Sequence, residues 1–238
     1  MYGDRPEPLE AAASFVGSRF PQARAAFLGG SVLTAERTPT SDLDVVVLLA
    51  GPPAPYRETF EHERWTVEAF VHTRQSLDHF WALDAGRRVC SLLRMCALGA
   101  VLTDPAGIAP EIAATAAARI AAGPPALDAA ELDAMRYRLT DLLDDLAGCD
   151  VEDELVHLAG AVLQRTAELA LATAGRWSGG GKALARALRD ADPDLAERLV
   201  DGHRHVVLYG DTAVLHRAAV EVLLRAGGPL LVGYRLKG

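Results

Sequence analysis

The chain changes character part way along, and that change most limits what it can fold into. Up to Thr103-Asp104-Pro105, short valine-rich runs alternate with helical stretches; beyond it, long alanine- and leucine-rich segments carry helical spacing. In the first part, residues 26–29, 42–50 and 64–72 favour strands, while 10–20, 75–85 and 87–97 have helical periodicity, which reads as α/β. In the second part, helices are expected over 110–122, 128–146, 151–174, 182–190, 194–205 and 212–226, which reads as a helical bundle. Asp128 ahead of Glu131 is a capping-box start, Pro193 suits a first turn, and Gly148, Gly175 and Gly227 suit helix ends. Gly123-Pro124-Pro125 has linker composition, with 104–110 as the competing boundary; the domains are placed at 1–108 and 109–238.

Composition narrows the class of partner. Half of the 238 residues are hydrophobic and 24% are charged, enough apolar material for a sizeable core. The net charge of −8, from 24 basic and 32 acidic residues, repels phosphate backbones, so no extended nucleic acid is expected as a partner. Three cysteines, Cys90, Cys96 and Cys149, show no CxxC spacing, which fits a reducing compartment; a cytoplasmic location is expected. The opening MYGDRPEPLE carries acids and prolines where a secretory leader would carry a basic patch and an apolar run. Arg94 interrupts one apolar stretch and Gln164, Arg165 and Glu168 another, so no run reaches the roughly 18 apolar residues of a membrane span, and no membrane is expected as a partner.

Chemistry concentrates in Phe27-Leu28-Gly29-Gly30-Ser31 and, nine residues on, Ser41-Asp42-Leu43-Asp44-Val45-Val46-Val47. On a strand, Asp42 and Asp44 project from one face, about 7 Å apart at the backbone, while Leu43, Val45 and Val47 take the other. Two such carboxylates against a core need a partner, and divalent cations are the simplest one. The glycines allow close backbone approach to phosphate, exposed N–H groups there bind anions, and the Ser31 hydroxyl adds a donor.

Gly30-Ser31, ten intervening residues and Asp42-Leu43-Asp44 within apolar flanks resemble the signature of the DNA polymerase β-like nucleotidyltransferase superfamily. The resemblance implies a third acid on a later strand, and Glu68 in Trp65-Thr66-Val67-Glu68-Ala69-Phe70-Val71 matches it; Glu58, Glu61 and Glu63 lie in a charged, loop-like stretch. Alternation also places Glu68 with Phe70 and His72, which leaves open a solvent-facing strand residue. The motif covers residues 25–72. A motif domain followed by helices is similar to the nucleotidyltransferases that modify aminoglycoside and lincosamide antibiotics, which transfer a nucleoside monophosphate from Mg·NTP to a hydroxyl and release pyrophosphate. The fold class so implied is α+β: an N-terminal nucleotidyltransferase domain with a small mixed sheet and flanking helices, then an all-α helical bundle completing the substrate pocket. Implied too are two Mg²⁺ ions on Asp42, Asp44 and Glu68, an NTP, with ATP preferred, as co-substrate, and phosphate contacts from Gly29, Gly30 and Ser31. No run specific to one drug-modifying subfamily is present, so the NTP and the acceptor stay open.

The second half offers further candidates. Lys182, one of two lysines, follows Ser178-Gly179-Gly180-Gly181 and opens a helix. It is not a Walker A loop, since Arg176 and Ala183 stand where Gly and Ser/Thr would be. A solvated helix-start lysine is the plain alternative; the resemblance implies a lysine on the nucleotide phosphates. Glu152, Asp153 and Glu154 open a helix and suit its dipole; Glu154, beside the Leu155, Leu158 and Val162 face, is the candidate base for the acceptor hydroxyl. There is no HExxH and no zinc spacing, and His203-Arg204-His205 reads as a polar helix end. Arg87 and Arg88 are expected to start a helix, either within reach of a triphosphate or on an amphipathic surface. Trp65, Trp81 and Trp177 suit core or pocket wall, with Trp177 the candidate for an acceptor site. The expected partner is a small-molecule acceptor, with a cationic one suiting the charge; a homodimer stays open. The competing functions are an antitoxin-type nucleotidyltransferase acting on a partner protein and a nucleotide-binding regulatory homologue, while an RNA-directed enzyme is disfavoured by charge.

Overall fold

The computed structural model describes residues 5–235, so Lys237 lies outside the described residues. Contacts divide the chain between Gly123 and Pro124.

The first unit is built on a five-stranded sheet: β1 (Ala25–Gly29), β2 (Leu43–Leu48), β3 (Tyr56–His62), β4 (Trp65–His72) and β5 (Ala100–Thr103), in the order β3-β4-β2-β1-β5. It is mixed, with β2 and β4 parallel and the other neighbours antiparallel. The mixed α+β class is as expected from the sequence. One face carries Leu28, Val45, Val47, Val67, Ala69 and Val71, which pack with Phe15 and Val16 of α1 (Pro8–Arg19) into one core. Burying the leucine and valines contributes about 1.5–3 kcal/mol each and fixes the register, because a slip of one residue would turn them to the other face. Against β4 packs α2 (Arg74–Gly86) and against β1 and β2 packs α3 (Ser91–Leu98), with α4 (Ala109–Ala122) on α3.

Several elements depart from expectation. The charged stretch that reads as a loop is the edge strand β3, paired with β4 from Tyr56↔Val71 to His62↔Trp65. Its charges suit an edge, where they discourage pairing with another chain. Glu63 and Arg64 form a two-residue hairpin turn at φ 49° and 64°, a conformation ordinarily signalled by Asn-Gly, which explains why no turn was visible. β5 likewise carries no strand signal in the sequence reading. Arg87 and Arg88 do not start a helix: Arg87 closes α2, Arg88 sits at φ 58°, and α3 begins at Ser91. Finally, α4 buries Ala109, Ile112 and Ala116 within the first unit, so that unit ends at Gly123 instead of residue 108.

The second unit is helical: α5 (Ala129–Gly148), α6 (Glu152–Thr173), α7 (Lys182–Ala191), α8 (Pro193–Tyr209) and α9 (Ala213–Arg225). Its core includes Leu139, Leu143, Val162, Leu169, Leu195, Leu199, Leu215 and Val222. Asp128 and Glu131 close the expected capping box, and Asp192 caps α8 ahead of Pro193. No described helix is long and apolar enough to cross a membrane. At the α8–α9 crossing, a Cβ on Gly202 would meet the Leu215 backbone nitrogen at 2.7 Å. Gly202→Ala gains about 1 kcal/mol of helix propensity but drives a methyl into backbone that no rotamer change relieves. A net destabilisation of about 1–2 kcal/mol is expected in urea unfolding; an unchanged or higher midpoint would show that the crossing does not depend on this contact.

Candidate active site

Register assembles the acidic cluster. Asp44 stands in β2 between Gly29 of β1 and Glu68 of β4, each directly opposite it. Asp42 lies two residues earlier, where alternation returns a side chain to the same face. One carboxylate oxygen from each of Asp42, Asp44 and Glu68 lies within 4.8 Å of the other two, and all three residues are half-buried. The intervening Leu43, Val45, Val67 and Ala69 are fully buried on the opposite face and hold the acids in place.

The cluster is electrostatically costly. Burial first, then the charges of Asp42 and Glu68, push the Asp44 carboxyl up to about 6, against a smaller opposing pull from the Arg57 guanidinium. Arg57, on β3, donates from Nη2 to Glu68 Oε2. Three converging hard oxygen donors with excess negative charge are the donor set that Mg²⁺ takes from a protein, so the residues present fit a divalent cation.

The glycine turn meets this cluster. Gly30 has φ 80°, and a Cβ there would lie 2.1 Å from Asp44 Oδ2, so both backbone and carboxylate demand glycine. Ser31 opens a short 3-10 turn, and its hydroxyl lies 3.2 Å from that of Ser41, which in turn accepts from the Thr38 backbone N–H at 2.9 Å. The loop from Ser31 to Ser41 is thereby tied back beside Asp42. Gly29 differs: Met95 of α3 covers it, with its Cγ 2.7 Å from where a Cβ would be, so the missing side chain there serves packing, and open backbone belongs to Gly30.

The remaining candidates lie on other elements. Glu154 lies exposed in the first turn of α6 and accepts from the Cys149 thiol at 3.7 Å; Lys182 is exposed at the start of α7, after Gly181 at φ 52°. Both belong to the second unit. Trp65 and Trp81 are core, with Trp65 Nε1 donating to the Pro6 carbonyl at 3.1 Å, while Trp177 is half-buried. His203 and His205 lie within α8, which runs on to Tyr209. Sequence reasoning missed Arg57, because its strand read as a loop. The signal was present in Tyr56, Phe60 and His62, which fall at even spacing and are the half-buried positions of β3.

Because the Asp44 pKa in the fold lies above its unfolded value of 3.8, its ionised form costs stability. That cost is absent below about pH 4, grows between about pH 4 and 6, and is complete at neutral pH. Asp44→Asn removes it and is expected to stabilise the metal-free protein at neutral pH by about 1–2 kcal/mol, after allowance for partial exposure. Urea unfolding in a chelator measures this; an asparagine variant less stable than the parent would contradict the electrostatic picture.

No protein-family model matches the chain, and no curated protein matches it. Among solved structures, it is similar to a nucleotidyltransferase-like protein from Exiguobacterium sibiricum 255-15, at 11% identity, over 92% of this chain and 74% of that one, with a TM-score of 0.48.

Proposed function

We propose that the protein is a Mg²⁺-dependent nucleotidyltransferase, which transfers a nucleoside monophosphate from an NTP, ATP being preferred, to a hydroxyl of a small molecule, with antibiotics among the candidate acceptors. The observation that carries this is the convergence of Asp42, Asp44 and Glu68 within 4.8 Å beside a glycine that no other residue could replace. The sequence resemblance in Gly30-Ser31 and Asp42-Leu43-Asp44 points the same way.

Divalent cations bound there supply neutralisation of triphosphate charge and acidify the acceptor hydroxyl. Asp42, Asp44 and Glu68 hold and space that charge. The backbone N–H groups of the Gly30-Ser31 turn and the Ser31 hydroxyl donate to the phosphate oxygens. The acceptor oxygen forms a bond to the α-phosphorus as the bond from that phosphorus to the β-bridging oxygen breaks. Pyrophosphate leaves, and the acceptor proton passes to a base. Lys182 as a triphosphate contact and Glu154 as that base complete the proposal, and a negative chain suits a cationic acceptor. A cytoplasmic setting goes with free thiols at Cys90, Cys96 and Cys149.

The test is a mass-spectrometric screen of small hydroxylated acceptors with Mg²⁺ and each NTP, read as addition of a nucleoside monophosphate together with pyrophosphate release. Asp44→Asn is expected to lower turnover by at least about 100-fold; turnover that survives it unchanged contradicts the site. Mass gained only by a protein would move the acceptor to a protein partner. In steady-state kinetics, Lys182→Ala is expected to raise KM for the NTP, and Glu154→Gln to lower kcat with that KM held; unchanged constants would remove either residue from the mechanism.

A further inference from the structure

The acidic cluster contains its own competitor for a cation. Arg57 lies on β3 opposite Phe70, and Thr59 lies opposite Glu68, so Arg57 reaches Glu68 diagonally across the β3–β4 pair, on the face that carries Asp44. Its Nη2 donates to Glu68 Oε2, and its guanidinium carbon lies 4.7 Å from the centre of the Phe70 ring. Among the charges that act on Asp44, it is the basic one, opposing Asp42 and Glu68. A cation bound by all three acids must therefore share or displace this guanidinium.

Displacement is cheap. The Arg57 side chain is 58% exposed, whereas that of Glu68 is 23% exposed, so the arginine can swing toward solvent while the acid stays put. Exposed pairs of this kind contribute little and break readily. The Phe70 face, beside the same strand, keeps a resting place for a released guanidinium. Once free of Glu68, its planar fork has the geometry that phosphate oxygens accept, at the edge of the sheet next to the acids.

We propose that Arg57 is an exchangeable counter-ion: it neutralises Glu68 while the acidic cluster holds no metal, yields Glu68 when a divalent cation binds, and then engages the polyphosphate that arrives with that cation. This rests on the metal-binding reading of the cluster. Its consequence is coupling, since polyphosphate stabilises the released arginine and so favours the metal-loaded form.

The experiment measures Mn²⁺ binding by isothermal titration calorimetry to the full chain, alone and with saturating inorganic triphosphate, for the parent, Arg57→Gln, Arg57→Ala and Arg57→Lys, with circular dichroism to establish folding. Mn²⁺ alone is expected to bind about 2- to 5-fold more tightly to the glutamine and alanine variants, because the competitor is gone. Triphosphate is expected to bind the Mn²⁺-saturated variants about 10-fold more weakly than the parent, since a charged phosphate contact is lost. Arg57→Lys, which keeps the charge without the fork, should fall between on both. Parental binding of Mn²⁺ with equal or weaker affinity in the glutamine and alanine variants overturns the exchange, as does unaltered triphosphate affinity. Absence of Mn²⁺ binding to the parent and every variant overturns the metal reading itself, and the exchange with it.

Discussion

Mutual repulsion among three carboxylates is the constraint around which the first unit is arranged. With carboxylate oxygens within 4.8 Å of one another, burial and the neighbouring charges together push the Asp44 carboxyl up to about 6, and one exposed guanidinium recovers at most about 1 kcal/mol. Two remedies exist, a retained proton or an added cation. The elevated Asp44 pKa is the first, and a divalent ion is the second. Nothing about folding requires such a cluster, since asparagine at one position would relieve it. Its presence is an energetic cost that a proton on Asp44 and the Arg57 guanidinium offset in part and that a bound divalent cation would offset further.

The rest of the first unit keeps the acids from relaxing apart. Parallel pairing of β2 with β4 puts Asp44 against Glu68, and the alternate residues Leu43, Val45, Val67 and Ala69 anchor both strands in the core shared with α1. Gly29 admits α3 over β1 through its contact with Met95, while Gly30 yields space to the Asp44 carboxylate itself. Adjacent glycines thus serve different ends, one packing and one the site. Arg57 tempers the metal-free charge from the sheet edge without locking it.

Much of this was legible in the sequence because it rests on local periodicity. Strand alternation placed Asp42 and Asp44 together, capping chemistry located the start of α5 at Asp128, and helical spacing gave the second unit. What alternation could not provide was partnership between strands. Glu68 could be matched to the cluster only through family resemblance, since its register with Asp44 is a tertiary fact. β3 was hidden because an edge strand tolerates charge on both faces and its turn uses Glu63-Arg64 at positive φ in place of a glycine. Arg57 was lost with it. The placement of the boundary before α4 fails because an alanine-rich helix carries no mark of which core it joins; burial of Ile112 and Ala116 decides that.

Joint binding of a divalent metal by Asp42, Asp44 and Glu68 is the proposal on which the chemistry of the site rests. Crystals grown with Mn²⁺ and measured for anomalous scattering test it most directly, because the signal reports the metal's position without any assumption about substrate. An anomalous peak is expected within coordination distance of all three carboxylates. A well-ordered acidic cluster with no peak among these side chains, at Mn²⁺ concentrations that saturate ordinary carboxylate sites, would contradict it.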